Sequence, residues 1–203
     1  MKYYKHCLAL IFLIVWIWGA INPLYPADWL LENYLIFGFI PIIIWGTWKF
    51  KLSNLALTAI TLFMCLHIIG AHYTYGEVPF GYTLQEWVSG HRNTYDRLVH
   101  FLFGFLIAYP LREILLKTTS IRASISYYLA VDIIFSWSAG YEIIEWLVAS
   151  VVAPEAGLAF LGAQGDVWDA QKDMLLAGGG AIVAMSTAYL LRHRNTKISQ
   201  TPV

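Results

Sequence analysis

Apolar residues fall into six long runs separated by short polar stretches, near residues 7–25, 29–48, 54–70, 98–116, 125–146 and 174–191. Each holds roughly the 20 mostly apolar residues that cross about 30 Å of hydrocarbon at about 1.5 Å of helical rise per residue. The pattern predicts an all-α, polytopic transmembrane bundle of about six helices, with residues 1–203 forming one integral membrane domain. Lys2 and Lys5 precede the first run in the manner of a signal peptide. Its length and the lack of an A-x-A cleavage site make it the first helix instead.

Composition agrees with this reading. Hydrophobic residues make up 59% of the chain and charged ones 13%, far from the soluble average. Lys plus Arg equals Asp plus Glu at 13 each, so the chain has no basic footprint for nucleic acid. Cys7 and Cys65 lie in apolar runs without CxxC spacing and read as small buried hydrophobes.

Orientation follows from where the cations fall. With six spans, Lys2, Lys5, Lys49, Lys51, Arg112, Lys117, Arg122, Arg192, Arg194 and Lys197 all come to one side, which is the cytoplasmic one by the positive-inside rule. Arg92, Arg97 and Lys172 are left on the other side, with most of the acids. Both termini are then cytoplasmic and the acidic end faces outward. The aromatic stretch 71–95 reads as a segment lying in the membrane interface, and 149–171, with Pro154, Gly157, Gly162 and Gly165, as a structured loop.

The acidic end gathers the candidate chemistry. Asp96 and His100 sit four apart and Glu142 and Glu145 three apart, so each pair shares a helix face, and Asp166, Asp169 and Asp173, three and four apart, share one stripe if the last helix starts early enough. Arg97 adjoins the first set, and Gln164 and Gln171 flank the last. His67 and His72, five apart, do not share a face. Single members have plain readings: Asp166 or Asp169 as a helix cap, His67 as a satisfied interfacial histidine, Asp96–Arg97 as a positioning ion pair, and Glu142 or Glu145 meeting Arg92 or Arg97. Together they leave negative charge that burial penalises unless protons or a cation offset it. A divalent metal ion on His100, Glu142, Asp169 and Asp173 is one offset. Protonated carboxylates suited to proton handling or head-group recognition are the other. Asp132, near the middle of the fifth run, offers either a proton path or a local hydrogen bond.

The motifs Asn93-Thr-Tyr-Asp-Arg-Leu-Val-His-Phe101, Glu142-Ile-Ile-Glu-Trp146 and Gly162-Ala-Gln-Gly-Asp-Val-Trp-Asp-Ala-Gln-Lys-Asp-Met174, with the stretch from His67 to Tyr75, closely resemble the YjdF-like family of bacterial inner-membrane proteins. The resemblance covers about residues 30–190 and is similar, more distantly, to VanZ-like membrane proteins. It implies the bacterial inner membrane, cell-envelope work, and a motif set of Asp96, Arg97, His100, Glu142, Glu145, Gln164, Asp166, Asp169 and Asp173, without assigning roles to them. The function expected is binding or processing of an envelope lipid or lipid-linked, amphiphilic head group. In an enzyme, metal-assisted hydrolysis or transfer would use Asp96, His100, Glu142, Glu145 and Asp166 as ligands or general base, and Arg97 to orient an anionic group. The rivals are a small proton-coupled transporter using Asp132 and a non-catalytic scaffold.

The topology is directly measurable. Reporter fusions after Lys51, after Lys117 and at Val203 should report the cytoplasm, and fusions near Glu77 and Pro154 the opposite side. An external C-terminus would overturn the six-helix reading.

Overall fold

The computed structural model describes residues 2–88, 90–152, 161 and 163–198. Every regular element among the described residues is a helix: α1 Lys2–Ala20, α2 Pro26–Phe50, α3 Asn54–Tyr73, α4 Pro79–Trp87, α5 Tyr95–Thr118, α6 Ala123–Val151 and α7 Asp169–Ile198. The protein is thus a polytopic helical bundle with one short helix, α4, between its third and fourth long ones. The loop residues Pro154, Gly157 and Gly162 lie outside the described residues.

Boundaries move from those read off hydropathy, for local reasons. The first helix stops at Ala20, several residues before Tyr25, and Pro26 opens α2 at a position where its missing N–H costs nothing. Ser53 caps α3 by accepting the Ala56 N–H at 3.2 Å. α5 begins at Tyr95, so Asp96 lies inside its first turn. α6 runs on to Val151, which leaves Glu142 and Glu145 within the helix body and not at its end.

Five helices, α1, α2, α3, α5 and α7, are long and apolar enough to cross a membrane. α6, which carries Asp132, Glu142 and Glu145, is not in that set, but it packs lengthwise on α5. His100 near the start of α5 meets Glu142 of α6 at 3.8 Å, and Arg112 near the end of α5 lies 3.7 Å from the centre of the Tyr127 ring of α6. α6 therefore runs antiparallel to α5 along most of its length. Large apolar side chains such as Leu10, Ile14, Trp48, Ile143, Leu175 and Ile182 are exposed around the bundle, which suits lipid and not water.

α5 and α7 run parallel and approach each other backbone to backbone. A Cβ on Gly104 would fall 1.8 Å from the Ala177 carbonyl oxygen, and one on Gly180 would fall 2.0 Å from that of Phe101. Gly178 faces α6, where a Cβ would strike the Phe135 ring. Lipid offers apolar side chains no advantage for leaving it, so association rests on van der Waals fit between small residues. Ala108, Ala130, Ile134, Ala177, Ala181 and Met185 complete the apolar core among α5, α6 and α7.

At the basic end, Glu113 of α5 accepts the backbone N–H and hydroxyl of Ser53 at 2.8 and 2.6 Å and the Lys117 ammonium at 2.6 Å, tying the α2–α3 turn to α5. Cys7 is exposed on α1 and only Cys65 is partly buried, so the expectation of two buried thiols fails for Cys7. α1 packs along α3 and meets α2 through Trp16, whose indole N–H donates to Asn33 Oδ1 at 2.9 Å.

These contacts separate the glycines of α7 into two kinds. Gly180→Leu or Gly104→Leu should lower the thermal midpoint in detergent, by an overpacking cost of about 1–3 kcal/mol or more. Gly179→Ala, where an added Cβ meets nothing within 4 Å, should be neutral or raise it through helix propensity worth up to about 1 kcal/mol. Equal effects at positions 179 and 180 would contradict the close crossing.

Candidate functional site

The site sits where α5, α6 and α7 meet at the acidic end. Asn93 organises the entry to α5: its side-chain oxygen accepts the Tyr95 N–H at 3.0 Å and its amide donates to the Val78 carbonyl at 2.9 Å. Its backbone N–H donates to Gln164 Oε1 at 2.9 Å while Gln164 Nε2 donates back to the Asn93 carbonyl at 3.2 Å. Gln164 adopts φ 47°, a left-handed conformation uncommon outside glycine and asparagine, followed by Gly165 at φ 84°. This turn delivers the start of α7 beside the start of α5.

One helical repeat inward, the chemistry-bearing side chains converge. His100 Nε2 lies 3.5 Å from Asp96 Oδ1 and 3.8 Å from Glu142 Oε1. One ligand atom each from Asp96, His100 and Asp173 lie within 4.8 Å of one another. Asp173 is 2% exposed, and its Oδ1, like Glu142 Oε1, is buried with no hydrogen-bond donor. Glu145 is buried next to Glu142, within reach of Tyr141.

A rim of ion pairs surrounds this centre. Arg92 bridges Asp96, at 3.4 Å, and Asp169. Arg97 pairs with Asp166 and lies 3.8 Å from Asp169. The expected Asp96–Arg97 pair is therefore replaced: successive residues on α5 point about 100° apart, so Asp96 turns inward to Arg92 and His100 while Arg97 turns to the α7 entry. Likewise Glu142 meets His100, not either arginine. Asp169, one of the expected metal ligands, is held by Arg92, and Asp96 stands in its place beside His100 and Asp173.

Asp166 belongs to the rim. It precedes α7, accepts the Trp168 N–H at 3.1 Å and the Lys172 ammonium at 2.6 Å, and so closes the helix entry as a cap. The Lys172 and Trp168 hydrogen bonds hold its carboxyl down at about 2, so it is ionised at any physiological pH. Gln171 is exposed. His72 turns away from the centre and its Nδ1 meets the Gly19 carbonyl oxygen at 3.1 Å, at the end of α1. Asp132 is exposed on the outer surface of α6, where Ser136 donates its hydroxyl to the Asp132 backbone oxygen at 3.0 Å.

A second polar layer adjoins the centre, in which the His67–Tyr75 stretch meets Glu32 and Tyr141, two residues that the sequence motifs do not single out. Glu32 of α2 is 4% exposed and its Oε2 accepts the Tyr141 hydroxyl at 3.4 Å. His67 Nε2 lies 3.3 Å from the Glu32 carbonyl and 3.9 Å from its carboxylate. A carbonyl only accepts, so the network assigns the proton to Nε2, and the Tyr75 hydroxyl, 2.5 Å from Nδ1, donates to the free nitrogen. Burial and the neighbouring carboxylates of Glu32 and Asp96 push the Tyr75 phenol well above its usual range, so it stays protonated. The Tyr141 ring lies 6.2 Å from the His100 ring and joins the two layers. The signal that could have found this layer is Asp28, Glu32 and Asn33 within an otherwise apolar span, since such residues rarely face lipid.

Against known proteins, the chain matches the family model described as "Predicted membrane protein (DUF2238)" over residues 4–194. It is 34% identical over 178 residues to the inner membrane protein YjdF of Escherichia coli (strain K12), an overlap that covers 87% of this chain and 85% of that protein. No solved structure matches it. With its helical bundle, this makes the chain an integral membrane protein of the DUF2238 family.

Proposed function

We propose that this protein resides in the bacterial inner membrane with its acidic end outward, and that this end binds a divalent cation through Asp96, His100 and Asp173 in order to engage the head group of an envelope lipid or lipid-linked molecule. The observation that carries the reading is the buried triad: three potential ligand atoms within 4.8 Å, with the donor-free carboxylate oxygens Asp173 Oδ1 and Glu142 Oε1 at its edge. A buried carboxylate oxygen without a donor costs free energy that a cation at this position removes. Mixed imidazole and carboxylate donors suit zinc, or another borderline ion such as ferrous iron, better than calcium.

The surrounding residues have definite parts. Arg92 neutralises Asp96 and Asp169 and fixes the spacing of α5 and α7. Arg97, whose side chain is 26% exposed, is the accessible cation that orients a phosphoryl or carboxyl group. Glu142 takes or gives a proton beside the centre, with Glu145 and Tyr141 behind it. When bound, the cation supplies charge neutralisation and acidifies a coordinated water.

Transport through the bundle has less support. Asp132 is exposed on the outside of α6, and between the acidic centre and Arg112 the described interior of α5, α6 and α7 holds Ala108, Ala130, Ile134, Ala177 and Ala181, with Ser138 as a buried polar side chain among them. That arrangement favours a site open at one end.

Elemental analysis of the purified protein tests the reading. Wild type should carry about one transition metal per chain. His100→Ala and Asp173→Asn should lose it, with affinity lowered at least about tenfold, the scale on which even outer-sphere partners act. Asp166→Asn should keep it, because an Asn oxygen still caps α7. Equal metal content in all four proteins would reduce the cluster to helix-end electrostatics. Lipid profiling of a deletion strain complemented with each variant then asks whether metal loss and an altered envelope lipid go together.

A further inference from the structure

The short helix α4 rises about 13 Å over its nine residues, too little to cross hydrocarbon. It joins two helices that are long enough, since α3 stops at Tyr73 and α5 starts at Tyr95. α4 therefore lies at the level where the chain leaves the membrane at the acidic end. At about 100° per residue, its side chains sort onto three faces. Phe80, Leu84, Trp87 and the capping residue Val88 recur at i, i+4, i+7 and i+8, within an arc of about 100°. Three of the four are open to the surroundings: Phe80 is 50% exposed, Trp87 72% and Val88 65%. Tyr82 and Glu86 fall on the opposite face, where the Tyr82 hydroxyl donates to Glu77 at 2.7 Å.

The third face packs on the entry to α5. A Cβ at Gly81 would fall 1.8 Å from Asn93 Oδ1 and 2.8 Å from Tyr95 Cβ, so only glycine allows this approach. The Gly81 carbonyl accepts both the backbone N–H and the hydroxyl of Thr94, each at 3.3 Å, beside the bond from Asn93 to the Val78 carbonyl. Asp96 and His100 follow within the first two turns of α5. α4 and the start of the acidic centre are thus joined backbone to backbone.

Place and charge decide what covers the apolar face. No Lys or Arg occurs between residues 74 and 91, so the face has no charge with which to hold an anionic surface. Apolar side chains on one side of a helix, with an acid and a phenol on the other, match the boundary between acyl chains and water. The bilayer that surrounds α3 and α5 lies against that boundary.

We propose that α4 is an in-plane anchor: Phe80, Leu84, Trp87 and Val88 insert among the acyl chains of the leaflet at the acidic end, and the Gly81–Asn93 contact passes that hold to the start of α5. The bilayer thereby helps to fix Asp96 and His100, whether or not a cation binds them. Insertion comes from apolar burial and is indifferent to lipid charge.

Nitroxide labels placed one at a time, as F80C, Y82C, E86C and W87C in a background without Cys7 and Cys65, test the anchor in phosphatidylcholine nanodiscs. Labels at 80 and 87 should be relaxed mainly by oxygen, which concentrates in hydrocarbon, and labels at 82 and 86 mainly by a water-soluble nickel chelate. Four labels of like accessibility, or insertion at 80 and 87 only when anionic lipid is added, would overturn the proposal. Hydrogen exchange in the same nanodiscs tests the coupling. In F80S/W87S the amides of residues 93–100 should exchange at least about tenfold faster than in wild type. G81A should have the same effect while a label at 87 stays in hydrocarbon. Unchanged exchange at 93–100 in F80S/W87S overturns the coupling, and, should that variant fail to fold, unchanged exchange in G81A does so.

Discussion

The backbone-to-backbone approach of α5 and α7 at Gly104 and Gly180 governs the rest of the molecule. Because a side chain at either glycine would collide with a carbonyl on the other helix, the two helices have one register in which they fit. In that register Gly104 stands against Ala177, and one turn outward His100 comes level with Asp173. A further turn places Asp96 and Asp169 close enough for Arg92 to hold both. The chemistry of the acidic end is thus set by contacts several residues deeper, where no ionisable group is present. Small residues there act as the gauge that spaces the large polar ones.

The ionisable groups are sorted by depth. Asp166, Lys172 and Arg97 form an outer layer that closes the entry of α7, and Arg92 mediates between that layer and the buried triad. Glu32, His67, Tyr75 and Tyr141 carry polarity sideways to α2 and α3 through hydrogen bonds that need no net charge. The opposite end is organised by Glu113 with Lys117 and Ser53, and there a buried arginine lacks an acceptor where a buried carboxylate lacks a donor at the first. One bundle thereby carries donor-free carboxylate oxygens at one end and acceptor-free guanidinium nitrogens at the other.

Much of this is legible in the chain. Runs of about 20 apolar residues mark the long helices, and the four-residue spacing of Asp96 and His100 is enough to put both on one face. What escapes has physical causes. The true partners of Arg92 and Arg97 depend on the left-handed turn at Gln164, which sets where α7 begins, and hydropathy carries no information about that angle. Glu32 is easily passed over because charge in a loop is cheap and the hydropathy boundary of α2 places it near one; within the helix it is buried. Asp132 reads as an interior residue from its place in the middle of an apolar run, yet the inner face of α6 is occupied by Ala130, Ile134 and Ser138, so rotation by two positions leaves it outside.

The parallel pairing of α5 and α7 has an electrostatic corollary. Each helix carries the equivalent of about half a positive charge at its N-terminus, and both N-termini lie side by side at the acidic end. α6 arrives antiparallel and brings its negative end to the same level. Two adjacent positive poles would repel in a low-dielectric surround, and Asp96 and Asp169, each within the first turn of its helix, sit where they cancel that repulsion. The acids are then part of the backbone's own charge balance. Asp96 and Asp169 thus answer both to Arg92 and to the peptide dipoles of the helices that carry them.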